Sequence, residues 1–191
     1  MPAFNPRETA LVLIDLQKGI VGMDHLSPRT GPEVVQTGQA LAEKFRAAGA
    51  PVVLVHVGFA PDFADAPPQN VDAPLSGPPG GLPADWSDLV DNLQAPGDLV
   101  VFKRQWGAFT GTPLDQQLRR RGIRTIVLAG IATNFGVEST ARHAWELDYD
   151  VVVVEDGCTT MSAELHEMAF KAILPRISRI TDAASVTLAD N

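Results

Sequence analysis

Apolar, largely β-branched runs recur along the chain, and stretches whose apolar residues return every three or four positions follow them. Ala10 to Leu16 (ALVLIDL) is apolar except for Asp15, which predicts a strand buried on both faces. Pro51 to Val57 (PVVLVHV), Leu99 to Lys103 (LVVFK), Thr125 to Gly130, Asp150 to Asp156 (DVVVVED) and a short Arg176 to Thr181 predict further strands. Between them, Pro32 starts a helix that Val35, Gly38, Leu41, Ala42 and Phe45 sustain until Gly49. Thr112 and Pro113 open a second helix, over Leu114 to Arg121. A third follows the fourth strand as far as Leu147, and Ser162 opens a fourth carrying Leu165, Met168, Ala169, Ala172 and Ile173. Asp182 to Leu188 reads as a terminal helical piece.

Two stretches escape this rhythm. Gln17 to Gly31 is irregular. Gly58 to Gly97 is rich in Pro, Gly, Ala and Asp, with Pro-Pro-Gln at Pro67 and Gly-Pro-Pro-Gly-Gly at Gly77. Trp86, Leu89, Val90 and Leu93 predict short helical turns within it. A loop this long inside a compact domain reads as a lid or an oligomer contact, because the strand-helix pattern resumes unchanged after it.

The alternation predicts a three-layer α/β/α fold, one domain over residues 1–191, with a mostly parallel six-stranded sheet. In such sheets the site lies outside the carboxyl ends of the central strands. Asp15, Lys103 and the turn from Gly130 to Gly136 fall at those ends, from widely separated parts of the sequence.

Composition narrows the classes. The 191 residues are 45% hydrophobic and 20% charged, with a net charge of −8. That excess of acid argues against nucleic-acid and anionic-membrane partners. A single cysteine, Cys158, excludes an internal disulfide framework and fits the cytoplasm. No apolar run approaches a membrane span, and no signal-peptide core is visible.

Asp15 reads either as a turn carboxylate or as a partly desolvated acid/base group with a raised pKa. Lys103 reads as a lysine snorkelling to water or as its buried partner. Trp106 and Phe109 flank a glycine after Lys103; they read as core, or as pocket walls with Phe135 opposite and Phe59 beside them. Gln17, Gln105 and Asn134 are candidates for orienting a substrate, and Arg104 for holding a carboxylate. Thr133, Ser139 and Thr140 read as cap and helix residues with no histidine placed to activate them. His56, His143 and His166 read as structural, and Cys158 as a small buried residue. No phosphate loop or dinucleotide fingerprint is present.

TALVLIDLQKG and VVFKRQWGAFTGTPLDQQLRRRGIRTIVLAGIATNFGVESTARHAWE resemble the isochorismatase-like cysteine hydrolase superfamily, in order and spacing, from Thr9 to Ile180. The most specific pieces are the strand ending in Asp-x-Gln, the Lys followed by aromatic-Gly-Ala-Phe-x-Gly-Thr, and Gly-x-Ala-Thr-x-x-[Cys]-Val-x-x-Thr-Ala. The detail is most similar to a bacterial branch in which Gly replaces the cysteine. The resemblance implies a sheet order of 3-2-1-4-5-6 and an Asp-Lys-Cys set that falls on Asp15, Lys103 and Gly136. It also implies a cis peptide before Ala132, turning the Ala132 N–H toward the pocket beside that of Gly136 as an oxyanion hole. Thr133 lies in the same turn and joins Asn134 and Phe135 among the residues expected at the substrate. Nicotinamidase members hold a metal on an Asp and two His after the second strand; here His56, Asp62 and Asp65 lack that spacing, so neither metal nor cofactor is expected. Relatives in the superfamily form dimers or larger homo-oligomers.

Without a thiol at Gly136 the thioester route closes. True isochorismatases also carry Gly there and cleave a vinyl ether with an Asp as acid. The resemblance therefore implies a hydrolase of a small metabolite using Asp-based acid/base chemistry on a C–O or C–N bond. The alternative is a degenerate enzyme kept as a metabolite-binding or oligomeric scaffold.

Overall fold

The computed structural model describes residues 3–74 and 81–189. Six parallel strands form one sheet in the order β3-β2-β1-β4-β5-β6. In chain order the elements are β1 (Thr9–Ile14), α1 (Lys18–Val21), α2 (Gly31–Ala47), β2 (Val52–Val57), β3 (Leu99–Lys103), α3 (Leu114–Arg120), β4 (Thr125–Ile131), α4 (Glu138–Glu146), β5 (Asp150–Thr159), α5 (Ala163–Met168) and β6 (Arg179–Thr181). With its helices this is the three-layer α/β/α fold.

Every residue of β1 is buried, as the apolar run requires of a central strand. α2 packs across β1, β2, β4 and β5 through Val34, Gly38, Leu41, Ala42 and Phe45. Its start is fixed by a capping box: Thr30 accepts from the Glu33 N–H, and the Glu33 carboxylate accepts from the Thr30 N–H.

Several boundaries differ from the pattern. β1 ends at Ile14, because Asp15 takes a left-handed backbone (φ 53) and turns the chain out of the sheet. β4 passes so close to it that a Cβ at Gly130 would stand 2.1 Å from the Ile14 carbonyl oxygen, and Gly130 itself has φ 130. The pairing of β4 with β5 shifts register between Leu128 and Gly130, and β5 continues to Thr159. A π-helical turn, Thr133–Val137, precedes α4, and another, Ala169–Ile173, continues α5.

Two predicted helical pieces are absent. Residues 183–185 form a turn, and the chain then returns as a bridge between Leu188 and Phe4. A tertiary pairing with the N-terminal segment takes the backbone groups that a helix would have used. Residues 84–87 and 91–92 are likewise turns, with Leu89 bridged to Gln17 between them, because the segment is paired. Lys18 N–H donates to Asp88 O, Gly19 N–H to Trp86 O, and Val90 N–H to Leu16 O. The long loop is thus zipped to the end of β1 over residues 86–90. Its Gly-Pro-Pro-Gly-Gly run lies outside the described residues except for Gly81. Among the described residues no helix is long and apolar enough to cross a membrane.

Candidate active site

β1 and β3 deliver Asp15 and Lys103 to the same edge of the sheet. Lys103 Nζ donates to Asp15 Oδ2 at 2.7 Å, with side-chain exposures of 1% and 6%. Its second bond, at 3.0 Å, goes to the Gln105 carbonyl. Burial pushes the Asp15 carboxyl up to about 6, against the Lys103 ammonium, which pulls it down. Asp15 Oδ1 is buried and has no hydrogen-bond partner among the described residues. A buried carboxylate oxygen without a donor costs about 1–3 kcal/mol or more, so a donor brought to Asp15 Oδ1 by water or substrate would be favoured there.

The turn after β4 closes the other side. The Ile131–Ala132 peptide bond is cis. Gly136 faces Asp15: an ideal Cβ there would lie 3.3 Å from Asp15 Oδ2, 3.0 Å from Ile14 Cγ2 and 3.4 Å from the Trp106 carbonyl oxygen. A side chain at position 136 would therefore start against the carboxylate. Three hydroxyls hold the turn. Thr133 Oγ1 meets His166 Nδ1 at 2.9 Å, Thr160 Oγ1 donates to Asn134 Oδ1 at 2.6 Å, and Thr140 Oγ1 donates to the Gly136 carbonyl at 2.7 Å.

The isochorismatase domain model matches residues 9–185. The chain is 50% identical over 187 residues to the uncharacterised isochorismatase family protein YecD of Escherichia coli O157:H7, covering 97% of this chain and 98% of that one. The chain belongs to the isochorismatase family. An isochorismatase family protein from Burkholderia thailandensis superposes with a TM-score of 0.90 at 49% identity, covering 97% of this chain and 96% of that one. A ureidoacrylate amidohydrolase, RutB of Pseudomonas savastanoi pv. phaseolicola, is 38% identical over 176 residues, with 80% of this chain and 71% of that one covered.

Within this isochorismatase family member, the other expected site residues divide sharply. Trp106 is 49% exposed and packs edge-on to Phe135, with ring centroids 4.7 Å apart, so the two aromatics stand together beside Gly136. Phe109 does not join them. It is 5% exposed and lies between His143 and Tyr149 in the core. Phe59 packs on Phe63 and Trp86, within the loop cluster.

The amides and the guanidinium make structural hydrogen bonds. Gln17, fully buried, donates to Val57 O and Trp86 O at 3.0 Å each and accepts from the Val57 N–H at 2.8 Å, so it joins β1, β2 and the long loop. Gln105 donates to the carbonyls of Gly107 and Thr110, stapling its own loop. Arg104 bonds Gly58 O at 2.7 Å and Asp65 at 2.6 Å while lying over the Phe102 ring. In this structure it ties the loop after β2, with its side chain 41% exposed. Asn134 has its side-chain oxygen taken by Thr160.

The expectation that no histidine stands near Thr133 is also corrected, since the fold brings α5 and His166 onto it. Sequence spacing carried no signal for a contact made across 33 residues. His56 Nδ1 meets the Ser87 carbonyl at 2.8 Å. Cys158 is buried on β5, and burial pushes its thiol up to about 12. Among the described residues no three His, Cys, Asp or Glu side chains gather closely enough to hold a metal ion.

Proposed function

We propose that this isochorismatase family hydrolase acts on a small metabolite by acid/base chemistry at Asp15, without a covalent enzyme intermediate. One observation carries the reading: a buried Asp15–Lys103 pair has one carboxylate oxygen unspent, opposite a glycine whose Cβ would fall 3.3 Å from the other. With its pKa near 6, Asp15 exchanges a proton readily close to neutrality. For a C–N substrate, water adds its oxygen to the carbonyl carbon while Asp15 takes the water proton. Asp15 then returns that proton to the nitrogen as the C–N bond breaks. For a vinyl ether, protonated Asp15 gives its proton to the enol carbon, water adds to the resulting cation, and the water proton restores Asp15. As the C–O bond of that hemiketal breaks, Asp15 gives its proton to the leaving oxygen and takes the hemiketal hydroxyl proton, releasing a ketone and an alcohol.

Lys103 keeps the carboxylate anchored and offsets its charge. The N–H groups of Ala132 and Gly136 are the proposed oxyanion donors, and Trp106 with Phe135 the wall for a flat group. Relatives named ureidoacrylate amidohydrolase favour a ureido or amide group in the substrate class. The thioester route finds no support in this chain: its single cysteine is Cys158, a buried thiol with a raised pKa. Val100 and Phe102, exposed on edge strand β3, support assembly into a homodimer or larger homo-oligomer, and the lone thiol supports a cytoplasmic setting.

The test is a panel of isochorismate, ureidoacrylate and nicotinamide with the wild type and Asp15→Asn. Turnover by the wild type that Asp15→Asn loses is expected. Turnover that survives the substitution overturns the assignment, and tight binding without turnover returns the chain to the scaffold reading.

A further inference from the structure

His166 is a buried, titratable side chain that the reaction does not use. It lies on α5 with 3% exposure, and its Nδ1 is 2.9 Å from Thr133 Oγ1. Thr133 follows Ala132 and opens the turn that ends at Gly136 and Val137. The other ring nitrogen, Nε2, is buried without a hydrogen-bond partner among the described residues, and Glu155 Oε1, on β5, stands 3.9 Å from it. Burial first, and the Arg29 cation second, pull the ring down to about 4, with Glu167 acting the other way. The imidazole is therefore neutral near neutral pH and carries one N–H.

Two tautomers are open to it. With the proton on Nδ1, the ring donates to Thr133 and leaves a bare Nε2 lone pair facing the Glu155 carboxylate. With the proton on Nε2, that N–H faces the carboxylate, and Nδ1 accepts the Thr133 hydroxyl proton. Only the second lets the Thr133 hydroxyl donate to the ring while turning an N–H, not a lone pair, toward the Glu155 carboxylate 3.9 Å away.

We propose that His166 is a positioning residue of the site: as the Nε2–H tautomer, favoured by the Glu155 carboxylate that faces it, it accepts the Thr133 hydroxyl and thereby fixes the turn bearing the Ala132 and Gly136 amides. The order is hydroxyl, imidazole, carboxylate, running from the turn to the protein's edge. The Thr133 hydroxyl acts here as an anchor, fully buried and pointed at α5. Thr160 makes a parallel tie to Asn134 one residue on, so the turn is gripped at two successive side chains. A neutral ring suits this task, because it stays uncharged while Asp15 gains and loses its proton. The inference rests on the reading of that turn as substrate-facing.

The test is 15N NMR of the histidine-labelled protein near neutral pH, with the His166 signals assigned by their loss in His166→Gln. A protonated Nε2 and an unprotonated Nδ1 are expected. Glu155→Gln should shift the population toward Nδ1–H, and Thr133→Val should move the Ala132 and Gly136 amide signals while Asp15 still titrates. An Nδ1–H tautomer in the wild type, an imidazolium near neutrality, or indifference to Glu155→Gln overturns the proposal. A merely structural histidine would lower the melting temperature on substitution without that tautomer response. These readouts need no turnover: a correct tautomer with an inert substrate panel would sink the hydrolase reading alone, and the converse would sink only this inference.

Discussion

Lys103 and Asp15, 88 residues apart, share one 2.7 Å hydrogen bond inside the protein, and only one of the two carboxylate oxygens is used in it. The bond makes the pair a unit whose halves fail differently. Asp15→Asn should cut hydrolysis by about 10²- to 10⁴-fold, the range for a lost acid/base group. Lys103→Met should also cost stability, since separating a buried pair leaves an uncompensated charge worth about 3–5 kcal/mol. Urea melts of the two variants beside kcat for whichever panel compound is turned over check both.

The raised pKa of Asp15 fixes a sign for stability. Between the ordinary 3.8 and about 6, the folded chain holds a proton at Asp15 that the unfolded chain releases. This contribution is fully present below the lower value and is lost as pH rises through the upper one. A plot of unfolding free energy against pH should slope downward across that window, and the slope should vanish in Asp15→Asn.

The same group sets the rate profile. A C–N substrate needs the carboxylate, so kcat/KM should rise through a pH of about 6, whereas an enol ether needs the acid and its rate should fall there. A profile flat across this region would remove Asp15 from the reaction.

Gly136→Cys should create a thiol that iodoacetamide alkylates at least about tenfold faster than Cys158, given a carboxylate base and the Lys103 ammonium beside it. Ile14 must yield a few tenths of an ångström, as its Cγ2 lies 3.0 Å from the new Cβ. Mapping the adduct by mass spectrometry checks this. Alkylation of Cys158 alone would mean that position 136 does not face the pair.

Gln17→Leu should destabilise the fold by about 3 kcal/mol, roughly one for each of three hydrogen bonds, two of them fully buried. Denaturant titration measures it, and protection of residues 86–90 from hydrogen exchange should fall in parallel.

The legible parts were those that local chemistry dictates. Uninterrupted apolar runs announced β1, β2, β4 and β5, because strands covered on both faces have no polar alternation to confuse the pattern. Asp15 and Lys103 stood out as charges at the ends of such runs, and the topology rule sufficed to bring them together. What stayed hidden was the assignment of hydrogen bonds. Gln17, Gln105 and Arg104 looked free in sequence, yet their partners are backbone carbonyls and a carboxylate that only the folded chain brings near. Thr133 and His166 were each visible, but their contact depends on where α5 lands. Residues 183–188 have helical spacing and still form a turn and a bridge, because pairing with Phe4 outweighs a weak local preference.

The near-contact of Gly130 with the Ile14 carbonyl sets how closely β1 and β4 approach just before Asp15. Main chain there abuts main chain, so any residue larger than glycine at position 130 would have to push β1 and β4 apart. Variation in the proposed substrate would then fall to Trp106 and Phe135, the partly exposed aromatic pair beside Gly136.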